Sequence, residues 1–201
     1  MHPKQRVLAI LGATVLAFVA TSALRFFDRS PGKTVGPLLT GHKEAFYRAW
    51  MHRHDAFPYE CWTEEGYFPD RASFPRDIQI LAATDYGCSD IYNGGLHQFF
   101  YNGTGVCAPE MVEWLERSGE TEIAELVREA MQFFGDQYPR SRRERMEKLP
   151  SREGRRKDWD PFYEIDSTIF TTFSSKRHRA LANKWLRETC GIQTLEQSPF
   201  K

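Results

Sequence analysis

Apolar side chains recur at intervals of three and four positions along most of the chain from residue 75 onward, the spacing of one face of an α-helix. Prolines stand at the starts of several of these runs and glycines at their ends, as at helix termini. The pattern predicts helices over residues 42–53, 75–86, 109–118, 123–134, 161–173 and 176–189. Nowhere do two alternating runs flank a turn, so the predicted fold class is all-α, a compact multi-helix domain.

The amino terminus has a different pattern, an 18-residue run without charge over residues 7–24. A helix that crosses a bilayer needs roughly 17 to 25 apolar residues, so this run predicts a single transmembrane helix within residues 1–28. Short amino-terminal flanks usually stay in the cytoplasm, which predicts an extracytoplasmic body. The alternative is a signal peptide cleaved near Thr21-Ser22-Ala23, which would make the protein secreted.

Two further boundaries follow from composition. Residues 29–41 contain two prolines and three glycines among few large apolar groups, which indicates a linker. Residues 42–201 are then predicted to form the all-α domain. Within it, the proline-rich segment 57–74 is predicted to be an irregular connection.

The four cysteines are Cys61, Cys88, Cys107 and Cys190. In an exported domain disulfides persist, and closing the loop between Cys88 and Cys107 would stabilise the fold by roughly 3 kcal/mol. We therefore expect that pair, with four reduced and mostly buried thiols as the alternative. The cysteine spacing fits no structural zinc site, and no metal or cofactor is predicted.

Charge excludes a uniformly acidic or basic protein, because the chain has 27 basic and 27 acidic side chains. Two blocks oppose each other: residues 110–129 have a net charge of −5 and residues 140–157 a net charge of +6. The blocks either neutralise each other in the fold or form binding patches. In the second case Arg142, Arg143 and Arg145 are candidate binding residues.

The most distinctive motif is Asn93-Gly94-Gly95-Leu96-His97-Gln98-Phe99-Phe100-Tyr101-Asn102. Two successive glycines allow a turn or a close approach of another segment. Asn93 is predicted to cap a short helix that Asn102-Gly103 ends in a left-handed conformation. The candidate binding residues in the motif are Asn93, Gly94, Gly95, His97, Gln98 and Asn102.

This motif, the Ala108-Pro109-Glu110 helix start and the Asp160-Pro161-Phe162-Tyr163 helix start resemble the carboxy-terminal domain of the bacterial DNA-mimic proteins, a domain of unknown function. The resemblance covers about residues 75–191 and implies a compact all-α domain. Mimicry of DNA requires an excess of acidic side chains, whereas the chain without residues 1–23 has a net charge of only −2. DNA mimicry is therefore not expected.

Three functions remain open. The first is a protein-interaction module that binds an unidentified protein partner through the motif or the charged blocks. The second is an enzyme in which His97 acts as acid or base beside Asp85 or Asp90, although no hydrolase, protease or nucleotide-binding motif occurs. The third is binding of lipid or nucleic-acid polyanions by residues 140–157.

Overall fold

The computed structural model describes residues 46–54, 56 and 72–199, all within one unit, His42–Lys201. These residues form helices and no strand, so the predicted all-α fold is confirmed for this part of the chain. The helices are α1 (Phe46–Arg53), α2 (Arg76–Tyr101), a 3₁₀ helix (Gly103–Cys107), α3 (Ala108–Arg117), α4 (Thr121–Gln132), α5 (Arg142–Lys148), α6 (Arg156–Trp159), α7 (Tyr163–Thr172) and α8 (Ser175–Glu188).

Helix α2 is the centre of the domain and contacts α3, α5, α7, α8 and the 3₁₀ helix. The prediction that this helix ends at about Tyr86 is wrong, because it continues for 26 residues to Tyr101. Gly87 is buried within α2 where Met111 of α3 packs, and a Cβ there would lie 2.5 Å from the Met111 sulfur. The glycine therefore allows a close helix crossing and does not end the helix.

Several other helix ends lie close to the prolines and glycines from which they were predicted. Pro109 lies in the first turn of α3, and Gly119, Gly135 and Gly191 all have positive φ just beyond helix ends. Before α7, the Asp160 carboxylate accepts a hydrogen bond of 3.0 Å from the Phe162 amide. Proline and glycine signals thus located α3, α4, α7 and α8.

The buried core is rich in aromatic side chains. One group surrounds Phe100, whose ring contacts those of Phe99, Phe134, Tyr138 and Phe162 at centroid distances of 5.0–5.8 Å. Such pairs add roughly 0.5–1.5 kcal/mol each beyond the burial of their area. This cluster ties the end of α2 to the segments that follow α4 and precede α7.

The predicted disulfide between Cys88 and Cys107 is wrong, because each of the two side chains is a buried thiol. The Cys107 Sγ donates to the carbonyls of Thr104 at 2.9 Å and Ala83 at 3.3 Å, which fixes the 3₁₀ helix against α2. Burial raises the pKa of Cys88 well above its usual range. Cys190 is also a free thiol, and Cys61 lies outside the described residues.

Several predictions fall on residues that the structure does not describe: the membrane helix at 7–24, the linker at 29–41 and most of the connection at 57–74. In the part of the chain that is described, none of the helices has the length and apolarity needed to span a bilayer.

Candidate functional site

The two glycines of the motif interrupt α2. Gly94 and Gly95 have non-helical backbone angles, and Gly95 has φ +77°. A Cβ on Gly95 would collide with the side chains of Arg156 and Asp166. Only glycine combines this backbone conformation with so close an approach.

Asp166 caps the second part of α2, because its Oδ1 accepts a hydrogen bond of 2.8 Å from the Leu96 amide. The predicted cap by Asn93 is wrong, since Asn93 lies exposed within the first part of the helix. Asp166 also pairs with Arg156, which reaches Asp160 at 2.7 Å. Burial raises the pKa of Asp166 to about 6, although the Leu96 amide and Arg156 act in the opposite direction.

Gln98 and Asn102 are held by one carboxylate. Asp90 accepts hydrogen bonds from the Gln98 side chain at 3.2 Å, from the Asn102 side chain at 2.8 Å and from the Thr104 hydroxyl. Asn102 has φ −79° and leads into the 3₁₀ helix, so the predicted left-handed end at Asn102-Gly103 is wrong. These two candidate binding residues stabilise the end of α2.

His97 is 1% exposed, and both of its ring nitrogens are bonded. Arg152 donates to Nδ1 at 3.1–3.3 Å, so Nε2 carries the proton and donates to the Pro150 carbonyl at 3.3 Å. Burial lowers the pKa of His97, and positive Arg152 lowers it further. The predicted pairing with Asp85 or Asp90 is wrong, and the neutral ring has no free nitrogen for proton transfer.

Arg145 is completely buried, which corrects its assignment as a candidate binding residue. Its guanidinium donates to the carbonyls of Phe100 at 3.0 Å, Asn102 at 3.1 Å and Pro139 at 3.1 Å, and also to that of Arg140. The carbonyls at the end of a helix lack hydrogen-bond donors within the helix, and at the end of α2 the Arg145 guanidinium is that donor. The residue therefore joins the end of α2 to the basic segment.

The motif and the basic segment meet at one open site, which we call the Tyr101 pocket. It has a volume of about 470 Å³ and is lined by His97, Tyr101, Met146, Leu149, Pro150, Ser151 and Arg152. The Tyr101 ring is 38% exposed, with the Arg142 guanidinium 5.3 Å and the Arg152 guanidinium 5.4 Å from its centroid. Arg142 also donates to the Tyr101 carbonyl at 2.9 Å.

Sequence reasoning found His97 and Arg142 but missed Tyr101, Met146 and Arg152. A signal for Tyr101 was present, because Phe99, Phe100 and Tyr101 are consecutive in a helix and cannot all face one core. The structure buries both phenylalanines and exposes part of the tyrosine.

The two charged blocks are joined by one strong contact, between Arg140 and Glu110 at 2.5 Å. Other acids of the first block pair elsewhere, Glu116 with Arg128 and Glu120 with Arg177. In the basic block, the side chains of Arg143 and Arg155 are 84% and 75% exposed and pair with Glu147 and Asp158. The arginines of this block that lie at the Tyr101 ring itself are Arg142 and Arg152.

Comparison with protein families gives one result: the family model described as DMP19-like protein matches residues 72–189. This range begins just before α2 and ends just after α8, so it includes the motif, Arg145, Asp166 and the whole Tyr101 pocket. Comparisons with curated proteins and with solved structures found no significant match.

Proposed function

The chain belongs to the DMP19-like protein family, and on that basis we propose that its helical domain is a protein-interaction module that binds an acidic partner segment at the Tyr101 pocket. The observation that supports this proposal is one partly exposed aromatic ring with two arginine guanidinium groups close over it. Tyrosine and arginine are the side chains most enriched in the energetic centres of protein interfaces.

The lining of the pocket suits a segment with both carboxylate and apolar side chains. Met146 and Leu149 offer apolar contact, and Met adapts to different shapes. Arg142 and Arg152 can each pair with a carboxylate while remaining stacked on Tyr101. Charge complementarity therefore favours an acidic segment over a basic one.

DNA mimicry is not part of this proposal. Residues 72–189 contain 17 basic and 19 acidic side chains, a net charge of −2. Several acids that could imitate phosphates are neutralised, among them Glu113, which pairs with both Arg76 and Arg117. In the part of the chain that the structure describes, ion pairs of this kind reduce the unpaired negative charge that a DNA-binding protein would recognise in a mimic.

We also propose that residues 7–24 anchor the domain to a membrane, with the body outside the cytoplasm, and that the alternative is secretion after cleavage. The support is the 18-residue uncharged run between basic flanks. Reporters active only inside or only outside the cytoplasm, fused after Lys201, test the orientation. Activity of the inside reporter, or release of intact protein from membranes by carbonate, would overturn the anchor in this form.

Photocrosslinking tests the interaction proposal. Tyr101 is replaced by a photoreactive phenylalanine analogue in the full-length protein in cells, and crosslinked proteins are identified by mass spectrometry. The affinity for a labelled peptide covering the crosslinked segment is then measured by fluorescence anisotropy. Removing a central interface side chain typically costs 1–2 kcal/mol or more, so Tyr101→Ala and Arg152→Gln should each weaken binding about tenfold or more.

The matched control is Lys184→Gln, which removes one positive charge from α8, where Lys184 is not part of the Tyr101 pocket. It should leave the affinity unchanged. A crosslinked segment without acidic residues, or equal losses for Lys184→Gln and Arg152→Gln, would contradict the proposal. Binding of double-stranded DNA or of phosphatidylglycerol vesicles in preference to the peptide would instead support the polyanion function of residues 140–157.

A further inference from the structure

A second cavity lies between α1, α2 and the start of α8, and we call it the His178 cavity. It has a volume of about 110 Å³. It is lined by Tyr47, Arg48, Cys88, Ser89, Tyr92, Ser175, His178 and Arg179. None of these residues belongs to the Tyr101 pocket, so the two sites can be tested independently.

His178 is the unusual member of this lining. The residue is 3% exposed, and its Nε2 has no hydrogen-bond partner among the described residues. Aromatic rings of Tyr47, Trp114 and Phe173 surround it at centroid distances of 5.8–6.1 Å. A buried polar atom without a partner is rare and indicates a missing group that could satisfy it.

Positive charge and further donors converge on the same cavity. The buried Nε of Arg179 also lacks a hydrogen-bond partner in the described part of the chain. Arg48 reaches Ser89 Oγ at 3.4 Å, and Ser175 is the first residue of the 14-residue helix α8. The first amides of a helix carry partial positive charge, and in α8 one of them, that of Arg177, already donates to Ser174 Oγ at 3.2 Å.

One negative group faces this region. Asp85 accepts a hydrogen bond of 2.5 Å from the Tyr47 hydroxyl and pairs with Arg48 at 3.3 Å. Its charge is thereby shared with Arg48, while no ion pair to Arg179 is formed by the described residues. With two arginines and one aspartate, the cavity and its surroundings have a net positive charge.

We propose that the His178 cavity binds one small tetrahedral oxyanion, phosphate or sulfate. The volume corresponds to a few water molecules at about 30 Å³ each, which is enough for a single such ion but too little for a nucleotide. The oxyanion would accept hydrogen bonds from His178 Nε2, from the Arg179 guanidinium and from the two serine hydroxyls. Donors at a helix start and an arginine form a common setting for such anions.

Affinity for the anion should increase as the pH falls below neutrality. Without an anion, burial lowers the pKa of His178 to about 4, opposed by Asp85 and reinforced by Arg48 and Arg179. A bound anion adds negative charge beside the ring and favours its protonated form. Anion binding and proton uptake by His178 are therefore coupled.

Isothermal titration calorimetry tests the proposal on the full-length protein in detergent. Sodium phosphate and sodium sulfate are titrated at constant ionic strength, with sodium chloride as the reference salt, at several pH values from 5.5 to 7.5. We expect saturable one-to-one binding of both oxyanions, tighter at low pH, and none of chloride. Arg179→Gln should weaken binding at least tenfold, and Lys184→Gln on the same helix should not change it.

His178→Phe is the second variant, and it should abolish the pH dependence together with most of the affinity. If this variant does not fold, Arg179→Gln still decides, because Arg179 makes no ion pair among the described residues. An equal response to chloride, or unchanged affinity in Arg179→Gln, would overturn the site. Loss of peptide binding at the Tyr101 pocket has no bearing on this result, since the residues differ.

Discussion

Two histidines, His97 in α2 and His178 in α8, are buried to nearly the same extent but differ in their hydrogen bonds. His97 is 1% exposed and has partners at both ring nitrogens. His178 is 3% exposed and lacks a partner at Nε2. Burial therefore does not distinguish the two residues, and the unsatisfied Nε2 is the feature on which the proposed anion site at His178 rests.

The surroundings of the two histidines differ in the same way. In the region of His97, the buried side chains of Arg145 and Asp166 have hydrogen-bond partners. Arg145 donates to the Phe100 carbonyl, and Asp166 accepts from the Leu96 amide and pairs with Arg156. Around His178, Trp114 Nε1 and Arg179 Nε also lack partners among the described residues. The first region is a completed polar network that supports the Tyr101 pocket, and the second is an incomplete one.

Removing the largest member of the completed network tests this contrast most strongly. Arg145→Met leaves four backbone carbonyls without their donor and should lower the free energy of unfolding by about 4 kcal/mol. Urea denaturation measures the change. Arg143→Met is the control, since its side chain is 84% exposed and its removal should change stability by less than about 0.5 kcal/mol. Similar effects for both variants would contradict the structural role of Arg145.

The dependence of stability on pH separates the two regions. Because the pKa of His178 is about 4 in the fold against 6.5 ordinarily, the free energy of unfolding has its full value above pH 6.5 and falls by about 3 kcal/mol toward pH 4, as the unfolded chain takes up the proton. The raised pKa of Asp166, about 6 against 3.8, stabilises the fold below pH 3.8, and this contribution is lost as the pH rises through 6. Between pH 4 and 6 the two contributions oppose each other.

The unfolding free energies of single variants at these two positions should therefore change with pH in opposite directions. We expect the unfolding free energy of Asp166→Asn to rise with pH from 4 to 6.5, and that of His178→Phe to fall over pH 4 to 6. Denaturation in phosphate-free buffers at constant ionic strength measures both. Parallel slopes in the two variants would show that neither histidine nor aspartate titrates as described.

Substitution of Gly95, in the break of α2, should lower the stability of the protein by less than substitution of Arg145, but any side chain at this position should be destabilising. Gly95→Ala introduces a methyl group at φ +77° beside Arg156 and Asp166, and should cost roughly 2–3 kcal/mol. Gly119→Ala is the control for backbone strain alone, because Gly119 has φ +90° with no atom near its Cβ position. A larger thermal shift for Gly119→Ala than for Gly95→Ala would refute the importance of the close approach.

The smallest changes in stability are expected for substitutions of the two histidines, which can be compared directly. His97→Phe removes one donor and one acceptor and should destabilise the protein by about 1–2 kcal/mol. His178→Phe removes an unpartnered polar atom from an aromatic site and should be neutral or slightly stabilising at neutral pH without oxyanion. Thermal unfolding of both variants, measured in chloride buffer, tests whether this order holds.

Much of the fold could be predicted because its signals are local. Proline starts and glycine ends located α3, α4, α7 and α8, since the conformations that these residues favour depend on neighbouring backbone alone. The full length of α2 could not be predicted, because Gly87 has a packing role that depends on Met111, 24 residues away in the sequence. Local propensity cannot distinguish a helix-ending glycine from one that admits a neighbour.

The candidate site was less predictable for the same reason. The motif and the basic segment were both recognised, but their meeting at the Tyr101 pocket depends on Arg145, which charge alone assigned to the surface. Residue type likewise suggested that Asn93 caps the second part of α2, whereas the cap comes from Asp166. Long-range polar contacts of this kind leave no periodic signal in the sequence.

The origin of that cap has a consequence for synthesis of the protein. Asp166 lies 70 residues after Leu96, so the turn at Leu96 emerges from the ribosome long before its cap exists. At translation rates of about 5–20 residues per second, the interval lasts about 4 to 14 seconds. During that time the nascent chain exposes the apolar side chains that follow Leu96. We expect chaperones that recognise exposed apolar segments to bind the nascent chain in this interval.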